Sequence, residues 1–305
     1  MAGPQPDAES LRSSADALAA QGRYREAAAI YRELVRSSPD DESHRLALAW
    51  AYYDAGETEE AVCSFEELFE REMSRNVFTG FAFDELARIF KGLRQYERLV
   101  RLCERVAAAQ PDDAGLLAEL GDAYLRAGRG EEAAGVFRRI LALDPDDAQA
   151  WSLLGQALVA SADLPGAKGA YAEAERIEPE GALSFMRRKA QALLEAGYLA
   201  GAEESFRRCL EIGAEPLDLV SLAETLARRE RLPEAWEACR KAAAMHPPSA
   251  GAFFHRLGLL LESLGKDAEA AGAFRQALGA EPGNSLYRLR LSASCRRAGL
   301  PVPAE

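Results

Sequence analysis

Three kinds of apolar position recur along the chain in one register. Small residues stand at Ala15, Ala49, Ala87, Gly121, Gly155, Ala190, Ala223 and Gly258. Twelve residues after each come Ala27, Ala61, Leu99, Ala133, Ala167, Ala202, Ala235 and Ala270. Four further on come Tyr31, Phe65, Cys103, Phe137, Tyr171, Phe206, Cys239 and Phe274. Four residues is one helical turn, so the last two sets share a helix face. A small side chain lets a neighbouring helix approach closely, and a bulky one fills the space beside it. The pattern predicts helix–turn–helix pairs, with Gly22, Gly56, Gly128, Gly197 and Gly265 allowing the tight turn inside a pair.

Proline sets the period. Pro39, Pro111, Pro145, Pro179, Pro247 and Pro282 are separated by 72, 34, 34, 68 and 35 residues, close to 34 or twice 34. A proline cannot supply the next backbone N–H, so each marks a helix that has ended. Acidic residues follow three of them, in SPDDE, QPDDA and DPDDA. Asp41, Asp113 and Asp147 are placed to cap the next helix and to favour its dipole.

This pattern resembles the tetratricopeptide repeat, a 34-residue helix–turn–helix with the signature W-x2-L-G-x2-Y, A-x3-F, P. One unit carries Leu117, Leu120, Gly121, Tyr124, Ala133, Phe137 and Pro145; the next carries Trp151, Leu154, Gly155, Leu158, Ala167, Tyr171 and Pro179. The resemblance implies an all-α fold, a right-handed α-solenoid (superhelix) of stacked helix–turn–helix pairs. It places repeats at 8–41, 42–75, 80–113, 114–147, 148–181, 183–215, 216–249 and 251–284. A solvating cap follows at 285–299. Residues 1–7 form an N-terminal arm and 300–305 a tail, so 8–299 is expected to be one array. Departures from the pattern mark sites of irregular curvature. Residues 76–79 are inserted, Arg94 replaces a turn glycine, and Lys189 takes the place of a core leucine. The Lys189 stem is expected in the core with its amine reaching outward.

Composition excludes several classes. The 305 residues are 48% hydrophobic, too many for a disordered chain. The acidic side chains number 49 against 37 basic, a net charge of −12 that opposes a nucleic-acid partner, whose phosphates need neutralising by Lys and Arg. Met1–Ser10 has no basic region followed by an apolar stretch, and no apolar run approaches the ~20 residues that cross a bilayer. Five widely spaced cysteines without a CxxC are expected to be reduced, mostly buried thiols. The expectation is a cytoplasmic protein without direct membrane insertion. Its arginine bias and abundant alanine are associated with a bacterial source.

Catalytic and metal motifs are missing from the sequence. His44, His246 and His255 lie far apart, and no HExxH, P-loop or nucleophile elbow occurs. The Asp clusters after proline lack the glycine and spacing of a calcium loop. Gly128-Arg-Gly130 lies between two helices with no strand before it, which is the wrong setting for a dinucleotide fingerprint. The expectation is no enzyme, with no catalytic residue, metal or cofactor.

In the resembled family the first helix of each repeat lines a concave groove, and reading that face here gives the candidate partner-binding residues. Leu46, Trp50 and Tyr53 (with Ala47 beside them) and then Phe81 form an apolar stretch. It suits the apolar anchors of a peptide or helix, or it is covered by the N-terminal arm or the insertion. Further along come Gln156, Arg187, Arg188, Gln191, Arg228, His255 and Arg256, with Ser152, Ser221 and Arg290 nearby. They suit an acidic segment, since Arg grips carboxylates bidentately, or they form internal pairs with Glu195, Glu224 and Glu262. The family's chaperone-binding clamp for a terminal carboxylate needs asparagines on first helices. This chain has only Asn76 and Asn284, both between repeats, so that clamp is not expected. The leading expectation is a non-catalytic scaffold binding a peptide, helix or subunit. The alternatives are a regulatory or substrate-recruiting subunit of an enzyme complex and, more remotely, an RNA-binding helical-repeat protein.

Overall fold

The computed structural model describes residues 7–75 and 79–302. Residues 1–6 of the expected arm, 76–78 of the expected insertion and 303–305 of the expected tail lie outside the described residues. The array expected over 8–299 divides into two compact units, Met1–Pro111 and Asp112–Glu305. Among the described residues there are seventeen α-helices and no strand.

The N-terminal unit holds α1 (Ala8–Ala20), α2 (Tyr24–Ser37), α3 (Glu42–Asp54), α4 (Thr58–Ser74), α5 (Phe81–Gly92) and α6 (Tyr96–Ala109). The C-terminal unit begins with α7 (Ala114–Arg126), α8 (Gly130–Leu143), α9 (Ala148–Ala160), α10 (Leu164–Ile177) and α11 (Ala182–Glu195). It continues through α12 (Leu199–Gly213), α13 (Pro216–Arg228), α14 (Leu232–Met245) and α15 (Ala250–Ser263) to α16 (Asp267–Ala280) and α17 (Ser285–Arg297). Within each unit consecutive helices pack side by side. In the C-terminal unit the odd-numbered helices also touch in sequence, α7 to α9, α11, α13 and α15.

Local chemistry sets the helix ends. The Asp41, Asp113 and Asp147 carboxylates accept from the backbone N–H of Ser43, Leu116 and Ala150 at 2.9, 3.0 and 2.9 Å, which satisfies one orphan donor of α3, α7 and α9. Asn284 does the same for α17, accepting from Leu286 and Tyr287. The turn inside each pair needs one residue with positive φ, two positions after the odd-numbered helix ends. Arg94, Ala162 and Glu230 take that conformation at φ 55, 66 and 62° where other pairs use glycine. Left-handed backbone costs a side chain roughly 1–2 kcal/mol, so these turns are held by what surrounds them. At Glu230 the flanking Arg229 and Arg231 both reach the buried Glu203 of α12, and Arg207 joins them.

The core is a ladder of small and bulky residues. All of the recurring small positions are buried, and so are the bulky ones opposite them. A Cβ on Gly121 would lie 2.5 Å from the Phe137 ring, one on Gly155 2.8 Å from Tyr171, and one on Gly258 2.6 Å from Phe274. Such separations leave no room for any side chain. Four of the five cysteines are buried, and each of the five is a thiol outside any disulfide. Burial pushes the Cys209 thiol up to about 11 and the Cys239 thiol up to about 12, which keeps both protonated.

The ladder makes a direct prediction. Gly258→Val should displace Phe274 and cost about 1–3 kcal/mol, although it removes a helical glycine. Chemical denaturation of the variant measures this. An unchanged midpoint would mean that the ring relocates freely.

Candidate partner-binding faces

In the N-terminal unit the candidate apolar residues sit on α3 and at the head of α5. Leu46, Trp50 and Tyr53 follow one another at helical spacing along α3, all half-buried. Trp50 stands edge-on to Tyr53, with ring centroids 5.8 Å apart, and edge-on to the fully buried Phe65, at 5.6 Å. Its ring therefore belongs partly to the core. Phe81 is 40% exposed. It follows Gly80, whose φ of 81° turns the chain into α5, and its N–H donates to the Thr79 hydroxyl. Thr79 in turn donates to Glu72 of α4 at 2.6 Å, tying the start of α5 to the preceding helix.

Arg88 of α5 completes this face and was absent from the residues expected to form it. Its guanidinium lies 4.9 Å from the Tyr53 ring centre and 5.7 Å from that of Trp50, and it donates to the Tyr53 hydroxyl at 3.0 Å. Glu85 holds it through two further hydrogen bonds, which raise its already high pKa. The signal that would have found Arg88 is register. The small positions Ala49 and Ala87 are 38 residues apart, so Arg88 stands at the level of Trp50, one helix pair on.

In the C-terminal unit the expected positive stretch is largely neutralised from within. Arg187 of α11 binds Asp218 of α13 through both carboxylate oxygens, at 2.9 and 3.1 Å, and also reaches Glu215 at 2.7 Å and the Gly213 carbonyl. Asp218 is 5% exposed. Arg256 forms a two-pronged pair with Glu224, and Arg290 approaches Glu262 at 3.5 Å. Arg188 donates to Gln149 and Ser152 of α9, and Gln191 donates to Glu195. Arg228 reaches the Leu194 carbonyl at the end of α11. Gln156 lies half-buried on α9.

His255 packs its ring between Phe274, at 5.6 Å, and Tyr287, at 4.9 Å, and its Nε2 is buried without a partner. Burial first, and the nearby Arg290 second, hold its pKa below the usual imidazole value against an opposing pull from Glu262. These contacts make it a neutral packing residue of the α15–α17 layer. No group of three His, Cys, Asp or Glu able to hold a metal occurs among the described residues, and none of their helices is long and apolar enough to cross a membrane.

Family models of the tetratricopeptide repeat match residues 94–157 and, in a second version, residues 13–72 and 220–285, together more than half of the chain. No curated protein matches the sequence. Among solved structures, the MamA RS-1 ArsTM double mutant is 20% identical, covering 58% of this chain and 98% of its own, with a TM-score of 0.40. A tetratricopeptide repeat protein from Parabacteroides merdae is 13% identical, covering 94% of this chain and 98% of its own, with a TM-score of 0.45.

The two faces respond differently to truncation. Trp50→Ala opens a void beside Phe65 and should cost about 3 kcal/mol, whereas Phe81→Ala should cost under about 1 kcal/mol. Thermal melts of the two variants test this, and equal losses would place Phe81 in the core. Arg187→Met strands the buried Asp218 carboxylate and should cost about 3 kcal/mol, most of it recovered when Asp218→Leu is added. A double-mutant cycle measures that coupling, and additive losses would count against the pair.

Proposed function

This chain belongs to the tetratricopeptide-repeat family, and we propose from that premise that it is a non-catalytic scaffold whose α3–α5 face seats the apolar side chains of a partner helix or peptide. Repeats of this family form protein-interaction scaffolds, and the finer reading concerns which surface does the binding. The observation that carries it is the exposed Phe81 ring at the head of α5, the helix whose Arg88 bonds Tyr53 of α3. An aromatic side chain left 40% in water loses hydration cost when a partner covers it.

The face is pre-organised. Arg88 and Glu85 fix Tyr53, and Phe65 fixes Trp50, so little side-chain entropy is left to lose on binding. The Arg88 guanidinium adds a polar rim beside the rings, a common arrangement around an apolar hot spot. The net charge of −12 opposes the RNA-binding alternative. A role inside an enzyme complex remains compatible with this face, the activity then belonging to the partner.

Parallel affinity capture with the wild-type chain and with Phe81→Glu tests the reading. Proteins retained by the first and lost by the second are then purified, and their binding should weaken at least about tenfold, the worth of one buried aromatic anchor. The same proteins captured equally by a variant that melts like wild type would remove α3–α5 as the binding face.

A further inference from the structure

Lysine is scarce in this chain: five residues, against 32 arginines. Two of the five, Lys168 and Lys189, line one recess of about 270 Å³ formed by α10, α11 and α12, and Arg208 joins them from α12. Lys189 occupies the level of α11 that is a buried leucine elsewhere in the array, namely Leu48, Leu86, Leu120, Leu154, Leu222 and Leu257. A cation there forfeits the burial of a leucine side chain. Internal pairing does not repay it, because among the described residues Lys168, Lys189 and Arg208 make no ion pair and no side-chain hydrogen bond. The comparable recess between α12 and α14 shows the contrast: its Arg207 pairs with Glu203 and Glu234, and its Lys241 with Glu237.

We propose that the recess among α10, α11 and α12 binds an acidic side chain of a partner polypeptide, with Lys189 as its central cation. Three cations face two carboxylates there, Glu175 and Glu204, which leaves a local excess of one positive charge. That balance suits a single carboxylate. A dense polyanion such as nucleic acid would be repelled by the two glutamates and by the net charge of −12. Apolar Met186 and Leu193 also line the recess, so the residue next to the acidic one is an aliphatic side chain. The volume accommodates one or two side chains, below the usual range of about 300–1,000 Å³ for larger ligands. The cations of this recess thus differ from Arg187 and Arg256, whose charge is taken up by Asp218 and Glu224. This inference takes from the preceding reading only that the chain binds polypeptides, and it is independent of the α3–α5 face.

The test uses the full-length chain and a fluorescein-labelled peptide of alternating leucine and glutamate, read by fluorescence anisotropy. The same peptide with glutamine for glutamate and a single-stranded DNA oligonucleotide serve as comparisons. The acidic peptide should bind saturably and at least about tenfold more tightly than the glutamine form, as a charge-assisted contact requires. Lys189→Leu restores the residue usual at that level; it should raise the melting temperature by roughly 2–4 °C and weaken the peptide at least about tenfold. Glu175→Gln with Glu204→Gln should tighten binding severalfold, and Phe81→Glu should leave it unchanged. Absence of saturable binding, equal binding by Lys189→Leu, or preference for the oligonucleotide would each overturn the proposal. Loss of binding in Phe81→Glu would assign the peptide to the other face and overturn it as well.

Discussion

Each helix pair depends on a neighbour it can touch closely. Inside a pair the constraint is steric: at Gly121, Gly155 and Gly258 the ring from the second helix of the same pair occupies the volume a Cβ would need. No pair buries its own apolar face alone, so the core is a row of nearest-neighbour contacts with no single centre. Hydrophobic content near half of the sequence is spread along that row. The same constraint frees the surface, because residues outside the small-and-bulky ladder can change without disturbing it.

Arginine supplies a second layer of attachment between adjacent pairs. Arg98 with Glu66, Arg105 with Glu70, Arg187 with Asp218, Arg256 with Glu224 and Arg297 with Glu262 all join residues 31 to 35 apart, about one repeat. Exposed pairs of this kind contribute little individually, about 0–1 kcal/mol. Arg187 differs because its carboxylate partner is buried, and a buried charge is costly to leave alone. The repeat spacing that stacks the helices therefore also brings opposite charges into reach, and a row of arginines on successive helices need not present a positive surface.

That consequence explains what the sequence made legible. The helix pairs follow from a period of 34, from proline after each pair and from aspartate caps, all of which act over a few residues. The half-buried apolar positions Leu46, Trp50 and Tyr53 follow from helical spacing along α3. Glu195, Glu224 and Glu262 were named from the sequence as internal partners, whereas Asp218 is identified as the partner of Arg187 only once the level of each side chain on its helix is known. His255 looked like a groove residue by register, yet Phe274 and Tyr287 enclose its ring. Arg88 was overlooked because the pattern followed there was apolar, and a guanidinium lying over two rings does not belong to that pattern.

Arginine and lysine are therefore used differently in this molecule. A guanidinium offers five donors in a planar fork that can grip one carboxylate through two bonds, the geometry found at Glu70, Glu85, Asp218 and Glu224. Such a pair is fixed by the fold and exchanges poorly with an outside ligand. An ammonium on a four-carbon stem is a point charge with adjustable reach. Placed at a leucine level, as in Lys189, its stem can lie along apolar neighbours while the charge remains available. Charges locked in forks hold the array together, and uncommitted lysine at an irregular position of the repeat is where recognition of an anion can be added without loosening it.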